Sequence, residues 1–143
     1  MTVLDAFAVI ALLKGEPAAA QVQDLIEVGG CALTTVGVAE VVDHLVRVAG
    51  ASDEDAVLDV AQLGLHAPID LDEATAIQAA LLRARHYDKR SRQVSLADCV
   101  AASAARTERT EVATSDPHLL DLCHDEGIAL IVLPDSNGAR WAP

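Results

Sequence analysis

The chain has 143 residues, a formal net charge of -12, and 52% hydrophobic but only 2% aromatic residues, so any core must be built from Ala, Val, Leu and Ile. That length suits one domain, residues 1–143, burying about two-thirds of the surface its unfolded chain would expose, and the acidity excludes a broad basic surface for gripping phosphates. No apolar run approaches the roughly 18 residues of a membrane span and the amino terminus lacks a signal-peptide pattern, so a cytoplasmic protein with no membrane contact is expected.

Thr2 to Leu4 is a short apolar run closed by Asp5, and Ala6 to Leu13 continues almost without a polar side chain. The pattern predicts a strand buried on both faces passing into a buried helix. Such a strand lies mid-sheet, which puts Asp5 at its carboxyl edge, where open α/β sheets bind ligands. Gly15, Glu16 and Pro17 break the chain, and helical spacing resumes over 18–28. Cys31 to Thr34 reads as a strand, and Thr35 as the cap of a long helix with Val36, Ala39, Val42, Leu45, Val46 and Ala49 on one stripe.

Ser52 followed by Asp53, Glu54 and Asp55 opens another helix, its early acids favoured by the dipole. Leu65 to Ile69 is a weaker strand, interrupted by Pro68 and hence expected near an edge. Asp70 or Asp72 caps a helix reaching about Tyr87. After a polar loop over 88–93 the spacing predicts a helix over 94–106, a strand over 111–114, a helix over 117–126, a strand over 128–133 and an irregular tail. Strands alternating with helices predict a parallel, helix-covered sheet in a three-layer α/β/α sandwich.

Cys31, Cys99 and Cys123 are odd in number and set among apolar neighbours. They suit small buried hydrophobes better than disulfides or a zinc site.

Asp5, Glu40, Asp98 and Asp116 each have a plain structural explanation. Asp5 and Asp116 can cap the helices that follow them, Pro117 suits a first helical position, and Ser95 to Asp98 fits a capping box. Glu40 can be solvated beside Asp43 and His44. All four nevertheless fall early in helices, or close beside a helix start, and after parallel strands those places share one side of the sheet. Asp98 is the exception, because a helix precedes it. Two carboxylates about 4 Å apart repel by roughly 4 kcal/mol at an effective dielectric near 20, whereas a cap returns only about 1 kcal/mol. If the four converge, a divalent cation or a proton must neutralise them, and oxygen-only ligands favour magnesium or manganese. The chemistry then implied is metal-assisted hydrolysis of a phosphodiester.

The strings Val3-Leu4-Asp5-Ala6, Val38-Ala39-Glu40-Val41, Ser95-Leu96-Ala97-Asp98 and Ala113-Thr114-Ser115-Asp116, in that order over nearly the whole chain, resemble the PIN domain. The likeness is greatest to small bacterial ribonucleases of the VapC toxin type. The resemblance implies a sheet of about five parallel strands and endonucleolytic cleavage of RNA in an acidic pocket holding Mg2+ or Mn2+. It assigns Asp5, Glu40, Asp98 and Asp116 as the catalytic acids, Asp5, Asp98 and Asp116 as metal ligands, and Thr114 as a supporting hydroxyl. It further implies a cognate antitoxin that enters the pocket, and a homodimer. Two positions depart from the family: Phe7, where many relatives carry Ser or Thr, and His118, where some carry another acid.

Arg83, Arg85, Lys89, Arg90 and Arg92 gather half of the ten basic residues in one stretch leading to Asp98. Their plain reading is a solvated helix end; as a site they would steer an RNA backbone towards the acids. An aspartyl phosphatase would need a second Asp at position 7, and a nucleotide-binding module a glycine-rich loop. The non-enzymatic alternative is a PIN-like scaffold that has lost turnover and acts through a protein partner.

Overall fold

In the computed structural model, which describes residues 1–143, the apolar runs pair as parallel strands. Thr2–Leu4 (β1), Cys31–Ala32 (β2), Glu111–Thr114 (β3) and Leu130–Val132 (β4) form one sheet in the order β2-β1-β3-β4. Thr2 stands opposite Cys31 on one side and Glu111 on the other, and Ala113 opposite Ile131. The strand with the most continuous burial, β1, is central, as its two-sided apolar pattern requires.

Helices cover both faces. Ala6–Lys14 (α1), Ala19–Gly29 (α2), Thr35–Arg47 (α3) and Asp53–Ala61 (α4) pack through Val9, Val22, Val41, Leu45 and Ala56 against Leu4, Leu33 and Ala113. Glu73–His86 (α5), Leu96–Thr107 (α6) and Pro117–Glu126 (α7) pack through Leu82, Cys99, Ala102, Leu119 and Leu122 against Val3 and Val112. Neighbouring residues of β1 and β3 thus serve opposite cores, the alternation a strand imposes, and the architecture is the expected α/β/α sandwich. Ala101, Ala102, Ala104 and Ala105 are all buried on α6, small side chains that let this helix approach both sheet and α5. Gly15 and Gly127 close α1 and α7 in the left-handed conformation, at φ 69° and 68°.

Four local expectations are corrected. The sheet has four strands where about five were expected. The segment 65–69 follows β2 without becoming a strand: His66 N–H donates to the Cys31 carbonyl at 2.8 Å, Ile69 N–H to the Leu33 carbonyl at 2.9 Å, and only Ile69 bridges, to Thr34. Pro68 offers no N–H between them, which breaks the ladder. The cap of α3 is Thr34, whose hydroxyl accepts from Gly37 N–H at 2.9 Å, while the Thr35 hydroxyl accepts from Leu71 N–H. The sixth helix starts at Leu96 behind Ser95, two residues later than the spacing suggested.

All three cysteines are free and buried. Burial pushes the Cys99 and Cys123 thiols up to about 12, which makes them inert core groups. The tail, irregular as expected, is held by Arg140 Nη1 donating to the Val132 carbonyl at 2.7 Å and Trp141 Nε1 donating to Asp121 at 2.8 Å. No helix is long and apolar enough to cross a membrane.

Candidate active site

Helices that follow a parallel strand begin at the sheet's carboxyl edge, and this places Asp5 at the start of α1 and Asp116 at the start of α7. Glu40 lies on α3, which follows β2 and the Thr34 cap. The sixth helix has no strand before it but leads into β3, so it runs back across the sheet and its first turn, bearing Asp98, returns to the same edge. A crossover helix has its amino end there whichever strand it belongs to. That resolves the position of Asp98, which the chain order alone left open.

Asp5, Asp98 and Asp116 each do the capping work expected of them. Asp5 Oδ1 accepts from Phe7 N–H at a long 3.4 Å, and Asp116 Oδ1 accepts from His118 N–H at 2.8 Å. Asp98 and Ser95 complete a capping box, with Ser95 N–H on Asp98 Oδ2 at 2.9 Å and Asp98 N–H on Ser95 Oγ at 3.0 Å. The fully buried Thr114 joins two of the acids: its hydroxyl donates to Asp5 Oδ2 at 2.8 Å and accepts from Asp116 N–H at 3.0 Å. Capping occupies one oxygen of Asp98 and one of Asp116, leaving the second oxygen of each without a protein partner.

The electrostatics tie the four together. Asp5 is 6% exposed. Its carboxyl is raised from 3.8 to about 7, first by burial, then by the charge of Asp98, with Asp116 adding to it and the Thr114 hydrogen bond opposing it. The half-buried Asp98 is also raised, by burial above all and further by Asp116, against the pull of the Ser95 N–H. Glu40 is raised by burial and then by Asp98. None of the ion pairs in the molecule involves any of these acids. As the side chains stand, no group of three or more His, Cys, Asp or Glu is placed to hold a metal ion. The donor types nevertheless suit a hard dication: the oxygens are carboxylate and hydroxyl, one each on Asp98 and Asp116 lacks a protein partner, and the acids raise one another with no ion pair to neutralise them.

The basic stretch is arranged differently from the acids. Arg85 pairs with Glu126 at 2.9 Å, and Arg92 with Asp125 at 2.8 Å. Arg83 donates to the Val94 carbonyl at 3.0 Å and stacks 4.4 Å over the Tyr87 ring. The side chains of Lys89 and Arg90 make no hydrogen bond or ion pair and stand exposed in the turn over 88–92. Asp125 and Glu126 end the helix that Asp116 begins, about 15 Å away at 1.5 Å per residue. The paired arginines therefore lie well away from the carboxylates.

Two residues near the acids meet in a way the sequence did not show, although Phe7 had stood out as a departure from the family pattern. A cleft of about 380 Å³ opens beside Asp5 and Asp116, and Phe7, Lys14, His44 and Ser115 share its walls. Phe7 and His44 meet edge to face with ring centroids 6.0 Å apart. Thirty-seven positions separate them, so nothing in the sequence linked the two.

The sequence model of the PIN domain matches residues 2–125. No curated protein matches the chain. Among solved structures, FitAcB from Neisseria gonorrhoeae is similar with a TM-score of 0.68 at 19% identity, covering 92% of this chain and 96% of its own. VapBC2 from Rickettsia felis, bound to a DNA fragment from its promoter, aligns with a TM-score of 0.67 at 15% identity, over 91% of this chain and 96% of that one. Mycobacterium tuberculosis VapC20, described as a sarcin-ricin loop cleaving toxin, aligns with a TM-score of 0.66 at 16% identity, over 85% and 94%. At such identities the likeness speaks for the fold.

Proposed function

Because the chain belongs to the PIN domain family, we propose that it is a metal-dependent endoribonuclease, the toxin of a toxin-antitoxin pair. The observation that carries the reading is Asp5, buried and raised to about 7 first by that burial and then by Asp98 and Asp116, and in no ion pair. A fold that only needed helix caps would not bring these carboxylates within reach of one another's charge.

In this reading Asp5, Asp98 and Asp116 hold Mg2+ or Mn2+, which when bound supplies Lewis-acid activation of water and charge neutralisation at the phosphate. The Thr114 hydroxyl fixes the Asp5 carboxylate by its bond to Oδ2 and braces Asp116 through the backbone. The capping box holds Asp98 by one oxygen and leaves the other without a protein partner. Glu40, raised above the ordinary carboxylate range, takes the proton of the attacking water. The water oxygen then bonds to phosphorus as the bond to the leaving oxygen breaks. Lys89 and Arg90, the members of the basic stretch without partners, meet the RNA backbone. Arg83, Arg85 and Arg92 reach it only from the positions their own contacts impose.

A cognate antitoxin, supported by likeness to VapBC2, and a homodimer, which rests on the family resemblance alone, complete the proposal. The test is cleavage of structured RNA by purified protein across a magnesium and manganese titration, beside Asp98→Asn. Dication-dependent cleavage by the parent alone supports the reading. A folded parent that cuts no RNA at any metal concentration, yet binds a protein encoded beside it, would favour the scaffold instead.

A further inference from the structure

We propose that Phe7 and His44 form a platform on which an unpaired nucleobase of the RNA stacks beside the carboxylates, with Lys14 facing the adjoining phosphate. This rests on the nuclease reading and extends it to how the strand is held. Phe7 is the chain's one phenylalanine, yet it is 56% exposed, in the first turn of α1 two residues after Asp5. Its backbone N–H bonds that carboxylate, so the ring cannot move far from the site without disturbing the cap. His44 stands against it at an interplanar angle of 79°, edge to face. The rings are therefore not stacked on each other, and an exposed Phe7 keeps a face open for a planar group.

Two further observations point to a ligand. The Nε2 atom of His44 is shielded from solvent and has no hydrogen-bond partner, a state that polar atoms rarely keep without something to satisfy them. It belongs to the wall of the cleft that holds Asp5 and Asp116. Lys14 lines the same cleft and makes no ion pair, although Glu16 and Asp135 share the lining. A cleft of about 380 Å³ with an open aromatic face, an imidazole and one uncommitted ammonium suits a single nucleotide. The acids on its walls disfavour a strand lying along it and leave Lys14 as the point where a phosphate is tolerated. A protein side chain could also cover Phe7, but it would give no use to the unpaired ammonium beside a phosphodiester site.

The platform is tested on the full chain in EDTA, which prevents cleavage, with a short single-stranded RNA carrying 2-aminopurine. Stacking quenches that base, a signature that loss of mere apolar contact would not mimic. The parent and Phe7→Trp are expected to bind and quench, whereas Phe7→Leu and Phe7→Ala should bind about tenfold more weakly without quenching. Lys14→Ala should weaken binding and keep the quench. Thermal unfolding should be the same for all, since Phe7 is exposed. Equal affinity and equal quenching by parent and Phe7→Leu would overturn the platform and leave Phe7 to a protein contact. Cleavage with manganese, measured on the same preparations, separates the two ideas: a parent that cuts while Phe7→Leu binds unchanged sinks the platform alone, and a parent that neither cuts nor binds sinks both.

Discussion

A carboxyl group buried at the end of β1 and raised from 3.8 to about 7 is divided between charged and neutral forms at neutral pH. That displacement corresponds to roughly 4 kcal/mol against the charged form. For an acid raised on folding, the favourable contribution is complete below the unfolded value and is lost as pH rises from about 4 through about 7. Asp5→Asn should therefore stabilise the metal-free protein at pH 8 by roughly 1 to 3 kcal/mol in urea unfolding, with little gain at pH 4. Equal stability at pH 8 would contradict the strained carboxylate. Thr114 gives a second test. Thr114→Val leaves the Asp116 N–H without its acceptor and should cost about 1 to 3 kcal/mol, together with most of the cleavage, whereas Thr114→Ser should keep both. Asp5, Asp98 and Asp116 were legible in the sequence because each opens a helix. The raised proton affinity of Asp5 was legible only on the condition that the acids converge, because it comes first from burial and then from Asp98 and Asp116, about a hundred positions away. Phe7 was visible as a departure from the family, but its meeting with His44 was not, because that depends on how α1 lies against α3.

Between elements, the sequence was clearest where burial on both sides leaves a continuous apolar run, as in β1 and β3, and weakest where one residue breaks a ladder, as Pro68 does beside β2. Charge was misleading at the ends of α5, α6 and α7. The basic stretch looked like one surface, yet Arg85, His86 and Arg106 all converge on Glu126, forty and twenty residues away. These partners, His86 foremost and then Arg106, hold the Glu126 carboxyl down at about 2. For an acid lowered on folding, the contribution is complete above its unfolded value near 4.5 and is lost as pH falls towards about 2. Glu126→Gln should thus lower the melting temperature at pH 7, and the difference from the parent should shrink as pH falls from about 4.5 to 2. A constant difference over that window would mean that Glu126 acts through packing. The Ser95 cap belongs to the same scale: Ser95→Ala removes the acceptor of Asp98 N–H and should cost about 1 kcal/mol, while cleavage should persist, because the Asp98 carboxylate keeps the backbone N–H of residue 95.

Over the whole molecule, a charge of -12 and a carboxylate pocket make phosphate binding a local matter. The α/β/α order was legible from the alternation of runs, and the topology then did what the chain order could not, turning α6 back so that Asp98 meets Asp5. Lys89 and Arg90, exposed and without partners, should account for the salt-sensitive part of RNA binding. Replacing both by Ala should weaken binding and flatten its salt dependence without changing stability, whereas Arg85→Ala should chiefly lower stability. The reverse pattern would place the RNA on the paired arginines. The most direct test of the site is cleavage of structured RNA, with manganese and without, by the parent and by Asp98→Asn of equal melting temperature. The account predicts cutting by the parent with manganese and by neither protein without it, and no cutting by Asp98→Asn; equal cutting by both proteins would contradict it.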